Sequence, residues 1–189
     1  MKQSEPTPRE GGLPPSDHAL LLSPLDFISE DHLRERQICA VIDGLAGGAR
    51  IERQAALTVL RFVNEELNMH MRDEAEDLFP ILSRRCKAED EIEKTISRIR
   101  HDLDAASRLL PKVRAILCRC LDTGSDLAPE ERETLSQFAG HVREHLVAEN
   151  AILLPIARAR LTPADLRKLS QHMRRRRGLP VSVEDKHAE

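Results

Sequence analysis

The chain has 189 residues, 32% of them charged, with a formal net charge of -3. That balance excludes the strongly basic surface usual in nucleic-acid-binding domains. A 2% aromatic content with no Trp or Tyr excludes stacking platforms for bases or sugars.

The predicted elements are all helical. Residues 1–22 read as a flexible arm with prolines, a Gly pair and no periodicity. Ser23-Pro24 reads as a cap followed by proline at the first helical position. Helix 1 then runs to Ala46 and stops at Gly47-Gly48. Its inward seam of Leu25, Ile28, Ile38, Ile42 and Leu45 includes His32. Helix 2, from Arg50 to Arg85, has the seam Leu60, Val63, Leu67, His70, Glu74, Leu78 and Ile81. Helix 3, from Glu89 to Leu121, carries the stripe Ile92, Ile96, Ile99, Leu103, Ala106 and Leu110. Pro111 is positioned to bend it, and His101 lies on the side away from the stripe. Helix 4 opens at Pro129 with the seam Leu135, Phe138, Val142, His145, Glu149, Ile152 and Ile156. His141 sits one turn before His145.

Thr162-Pro163 starts a short fifth helix to Arg177. On it His172 has no partner at a suitable spacing, and the Arg174–Arg177 run reads as a solvated end. Four long helices with short connections favour an all-α, up-down-up-down antiparallel four-helix bundle over residues 23–160. The fifth helix occupies 161–178 and a loose tail 179–189.

The chemistry concentrates in a repeated segment. His70 and Glu74, four residues apart, lie one above the other on one helix face. Leu78-Phe79-Pro80 follows, with the proline ten residues after the histidine. His145, Glu149 and Leu153-Leu154-Pro155 repeat the pattern at the same offsets. Both glutamates fall on core seams, where an isolated carboxylate is costly. A metal cation would serve as its partner, and so would an arginine of another helix. Imidazole with carboxylate suits iron, manganese or zinc. The cysteines offer no metal motif: Cys118 and Cys120 point to nearly opposite faces, and Cys39 and Cys86 stand alone. Counted from the turns, His32, His70, His101 and His145 fall near one level of the bundle, within about 3 to 9 Å along its axis.

Over residues 23–159 the sequence resembles the hemerythrin/HHE cation-binding family of non-haem di-iron proteins. That family carries one His on helix 1, His-x-x-x-Glu on helices 2 and 4, and one His on helix 3. The pattern maps to His32, His70, Glu74, His101, His145 and Glu149 as metal ligands, and Leu78-Phe79-Pro80 matches the family's "LFP". The resemblance implies two non-haem iron ions (Fe2+/Fe3+), oxo- or hydroxo-bridged, with the glutamates bridging and the histidines capping. Leu67, Leu78, Leu146 and Ile152 would supply a dry shell. Oxygen-carrying hemerythrins have two histidines one turn apart on helix 3, whereas Ala105 and Ser97 flank His101 here. His141 would supply a fifth histidine only by departing from the family pattern. The related repair-of-iron-centres proteins carry paired N-terminal cysteines, which residues 1–22 lack.

Three readings stand. The first is a di-iron protein that binds or senses O2 or NO, or handles iron. The second is iron-centre repair, or detoxification of peroxide or NO under oxidative or nitrosative stress. The third is a metal-free helical interaction module, with the basic end of the fifth helix as its contact. The expected partners are a small diatomic ligand or peroxide, with no nucleic acid and no membrane. No run of about 18 apolar residues exists to span a bilayer. Residues 1–16 have no apolar segment like that of a signal peptide, so the expected location is cytoplasmic, where thiols stay reduced.

Overall fold

The computed structural model of the chain describes residues 15–181. The expectations for residues 1–14 and 182–189 fall outside that range. Five helices, with no strand among the described residues, build the molecule: α1 (Pro24–Gly47), α2 (53–85), α3 (Ile92–Thr123), α4 (129–160) and α5 (Pro163–Arg176). Helix α4 lies along both α3 and α1, and α2 touches α1 and α3, so α1 to α4 enclose one interior. Within the described residues no helix is long and apolar enough to cross a membrane.

The start signals act unevenly. Pro163 opens α5 behind a reciprocal cap: the Asp165 amide donates to the Thr162 hydroxyl, and Asp165 accepts from the Thr162 amide. The α2 cap is Glu52, whose carboxylate accepts from the Gln54 and Ala55 amides. Ser23, expected to cap α1, makes no side-chain cap bond. The chain before it is already ordered: Asp17 caps a 3₁₀ turn over His18–Leu22. Leu21 of that turn is fully buried, and its carbonyl accepts from the Ser170 hydroxyl of α5. The expected arm therefore does not extend to residue 22, because burying Leu21 ties its last residues to the bundle.

The apolar interior is split in two. One cluster includes Ile38, Ile42, Val59, Phe62, Val63, Leu67, Leu117, Phe138 and Leu146. The other includes Leu25, Ile28, Leu78, Phe79, Leu82, Ile96, Ile99, Leu153 and Leu154. Each fully buried aliphatic side chain contributes about 1.5–3 kcal/mol. Between Ile28 and Ile38, between Leu67 and Leu78, and between Leu146 and Leu153 the buried positions include charged or titratable residues, so a polar layer separates the two cores.

Both glutamates of the repeated pattern lie where the helix widens. Residues Asp73–Leu78 and Glu149–Leu153 are π-helical, and the amides of Phe79 and Leu154 reach back five residues to the carbonyls of Glu74 and Glu149. The prolines give the reason. Pro80 and Pro155 have no N–H to donate, and in a regular α-helix their rings would crowd the carbonyl four residues back. A wider turn relieves both problems, and such turns are frequent at functional sites. The extra residue also moves the register. On α4, Leu153, Leu154 and Ala157 are buried, whereas Ile152 is 42% exposed and supplies no dry shell, against expectation.

Candidate metal centre

Three helices bring six side chains together in the polar layer: His32 and Glu35 from α1, His70 and Glu74 from α2, and His145 and Glu149 from α4. All six are buried. They alternate around a closed ring. His32 Nε2 lies 3.5 Å from Glu74 Oε1 and 3.2 Å from Glu149 Oε2. His70 Nε2 lies 3.6 Å from Glu74 Oε2 and 3.2 Å from Glu35 Oε1. His145 Nε2 lies 3.3 Å from Glu35 Oε2 and 3.8 Å from Glu149 Oε2. Each carboxylate thus stands between two imidazoles, and the two oxygens of Glu35 and of Glu74 face different histidines.

None of these contacts is a hydrogen bond. Every imidazole nitrogen and every carboxylate oxygen of the ring is buried without a hydrogen-bond partner, except that the structure gives His70 Nδ1 a near neighbour in Asp31 Oδ2 at 3.5 Å. Unsatisfied buried groups are rare in folded proteins, and buried carboxylates need a counter-charge. Ligands held about 2.1 Å from a shared ion stand roughly 3.0–3.5 Å apart, close to the ring spacings. Two sets of ligand atoms are each compact enough for one ion: His32, His70, Glu74 and Glu149, and Glu35, His70 and His145. The residues present fit a cation.

Charge is shared unevenly in the ring. Burial pushes the Glu74 carboxyl up, but His70, His32 and His145 outweigh it and leave Glu74 lowered to about 2. Burial, reinforced by the negative charges of Glu74 and Glu35, lifts Glu149 well above the carboxylate range. Burial pulls the His70 imidazole down, but Glu35 and Glu74 together raise it well above the ordinary value.

Five of the residues singled out in the sequence meet in this ring, and His101 does not. It is exposed, lining a surface depression with Ser97, Arg100 and Asp104. The reason is helical phase. The apolar stripe of α3 turns Leu103 and Ala106 inward and leaves His101 outside, as periodicity alone indicates. His141 also stays outside the ring, half-exposed on α4. Glu35 stands outside the His-x-x-x-Glu pattern. Its signal is its place in the α1 seam, three residues after His32 and three before Ile38, where a carboxylate faces the interior. The cysteines are free and lie outside the clustered ligand sets. Burial pushes the Cys39 thiol up to about 12.

Around the ring, α5 grips α2. Asp73 is fully buried and receives Arg176 and, at 2.7 Å, Arg177. Arg176 also reaches Asp77 at 2.7 Å and Glu76 at 3.0 Å, and His172 pairs with Asp77. The Arg177 guanidinium rests over the Phe27 ring. Half of the expected solvated run is thus turned inward, and His172 has a partner that helical spacing cannot reveal. Beside this grip is a cavity of about 270 Å³ lined by Phe27, Glu66, Met69, Arg177 and Asp31, the neighbour of His70.

No curated protein matches the chain. The pattern that defines the hemerythrin HHE cation-binding domain matches residues 23–157, which span the ring and the four helices around it. The chain belongs to the hemerythrin HHE cation-binding family.

Proposed function

We propose that the ring holds two iron ions in an up-down-up-down antiparallel bundle, and that the protein uses them in the cytoplasm to bind or sense O2 or NO, or to handle iron. The observation that carries this reading is the closed alternation of three imidazoles and three carboxylates, all buried and without hydrogen-bond partners. His32 with Glu74 and Glu149 would hold one ion, and Glu35, His70 and His145 the other. Glu74, with an oxygen toward each side, would lie between them. Three carboxylate charges offset most of the charge of two divalent ions. Iron bound there would supply redox chemistry and a Lewis acid with positions left for a small ligand.

The chain's own residues set the conditions. Asp31 would accept a hydrogen bond from His70 Nδ1–H, fixing the tautomer that leaves Nε2 free to face the ring. The two apolar clusters exclude water from above and below, and the cavity that Asp31 helps to line would offer a route for a diatomic ligand or peroxide. The interaction-module reading loses support, because it rested on the basic end of α5, where Arg176 and Arg177 are engaged by Asp73.

The test is elemental analysis of anaerobically purified protein, followed by absorption spectra before and after air. About two irons per chain, with charge-transfer bands growing on oxidation, are expected. No metal, and no uptake of added ferrous iron, would overturn the reading. Among the gas and detoxification roles, a reversible adduct indicates binding, whereas turnover of peroxide or NO indicates an enzyme.

A further inference from the structure

We propose that Arg114 of α3 is a positioning residue for the metal centre. It holds open a wide turn in α2 that aims His70 at the ring, an inference that rests on the two-ion reading above. Helix α2 contains two wide turns. The one at Asp73–Leu78 answers to Pro80, whereas the other is at Phe62–Glu66, and no proline lies between Phe62 and Phe79. At this first turn the Leu67 amide donates to the Phe62 carbonyl, five residues back. The Val63 carbonyl is thereby left without the amide that a regular α-helix would bring it. Arg114 Nη2 donates to that carbonyl at 2.8 Å. Val63 is fully buried, and a buried carbonyl without a donor is costly, so the bond favours the wide turn over the regular one. That carbonyl is the one acceptor Arg114 has among the described residues, and its buried Nε has none.

The end of the same turn is held from α1. Glu66 accepts from Arg34 Nε at 2.9 Å and from Nη2 at 3.1 Å. Arg34 is buried and lies in the chain between His32 and Glu35 of the ring. His70 stands in the short α-helical segment Leu67–Arg72 that joins the two wide turns. The second turn is pinned by Pro80 and by the arginines of α5 on Asp73. The first has no such pin and depends on Arg114 and on the Arg34–Glu66 pair. A wide turn holds one residue more than an α turn, and one residue is worth about 100° of rotation about the helix axis. With Glu74 fixed from the α5 side, loss of the first turn would displace the segment between, and His70 Nε2 would leave Glu35, now at 3.2 Å. Helix α3, which gives the ring no ligand, thus acts on it through Arg114.

The test compares Arg114→Met, which removes the donor, with Arg114→Lys, which returns one, and with Arg132→Met as a control. Arg132 of α4 also donates to a backbone carbonyl at 2.8 Å, that of Ala46 at the C-terminal end of α1, so its loss costs a bond of the same kind away from the ring. Ferrous iron is titrated anaerobically into each full-length variant, and bound iron per chain is measured at each concentration. In Arg114→Met the ion held by Glu35, His70 and His145 should bind about tenfold more weakly, while the other stays within about twofold. Arg114→Lys should recover part of that loss, and Arg132→Met should show none of it. Unchanged affinity in Arg114→Met, an equal loss in Arg132→Met, or a lysine variant no better than the methionine one overturns the role. A second measurement needs no metal. The imidazole NMR signals of His70 in metal-free protein should shift in Arg114→Met and hold in Arg132→Met, and unmoved signals in Arg114→Met overturn the role. If the unaltered chain takes up no iron but these signals shift as stated, the two-ion reading fails and the positioning role stands.

Discussion

Residues 70–80 and 145–155 place a histidine, a glutamate and a proline at the same offsets, and both turn π-helical at the glutamate. At the positions between, the first segment carries Asp73 and Asp77 where the second carries Ala148 and Ile152. Asp73 and Asp77 are buried under the arginines of α5, whereas Ala148 joins an apolar cluster and Ile152 faces solvent. The two carboxylates also part company: Glu74, with His70, His32 and His145 outweighing its burial, is lowered to about 2, while Glu149 is raised. The repeated pattern therefore dictates backbone shape. The unlike residues between its fixed points decide how each copy is held, and position in the ring decides how each carboxylate is charged.

The largest effects should come from what the copies share. Glu74→Ala and Glu149→Ala are each expected to lose most bound iron and to lower thermal stability, and Glu35→Ala should do the same from α1. Elemental analysis of the three variants is the check, and full iron retention in both Glu74→Ala and Glu149→Ala would sink their role as iron ligands. Next come the differences. Replacing Arg176 and Arg177 together by Ala leaves Asp73 charged and buried with no cation, a loss of about 3–5 kcal/mol. Ile152→Ala, on the matching exposed turn of α4, should stay within about 0.5 kcal/mol. Chemical denaturation of both variants measures the contrast, and equal losses would mean that α5 does not brace the first copy.

A smaller effect tests the prolines. Pro80→Ala and Pro155→Ala restore an N–H and remove the crowding that favours the wide turn. Each should weaken iron binding by about tenfold as its glutamate shifts. Unchanged affinity in both would show that the π segments persist without proline.

Much of this was legible in the sequence, and the gaps have physical causes. The helix limits follow from Pro24, Gly47-Gly48, Pro129 and Pro163, because proline and glycine act locally. His32, His70, Glu74, His145 and Glu149 were found because they interrupt apolar seams at helical spacing. Glu35 interrupts the α1 seam in the same way, but it lies outside the family pattern. The family pattern points to His101 against that residue's own periodicity, and the packing of α3 sides with periodicity. Ile152 was misplaced because a 3.6-residue period carries no allowance for the residue that a π turn inserts. The inward arginines were invisible because their partners, Asp73 and Asp77, stand about 100 residues away.

The mildest prediction probes the brace from its other end. Arg85, in the last turn of α2, donates to Asp165 at the start of α5 at 2.8 Å and 3.0 Å. Burial pushes the Asp165 carboxyl up, but Arg85 together with the Thr162 hydroxyl and amide lowers it from 3.8 to about 2. A carboxylate lowered in the folded state adds stability above its ordinary value and loses that contribution as the pH falls toward the lowered one. The pair is partly solvated, so the contribution should be about 1 kcal/mol. Stability curves should therefore be unaffected by Asp165 from neutral pH to about 4 and show its loss between about 4 and 2. Asp165→Asn should flatten that interval relative to the unaltered chain. If it does not, α5 is held on α2 by the Arg176 and Arg177 contacts and by burial of Leu169 and Met173, and its first turn adds no measurable charge term.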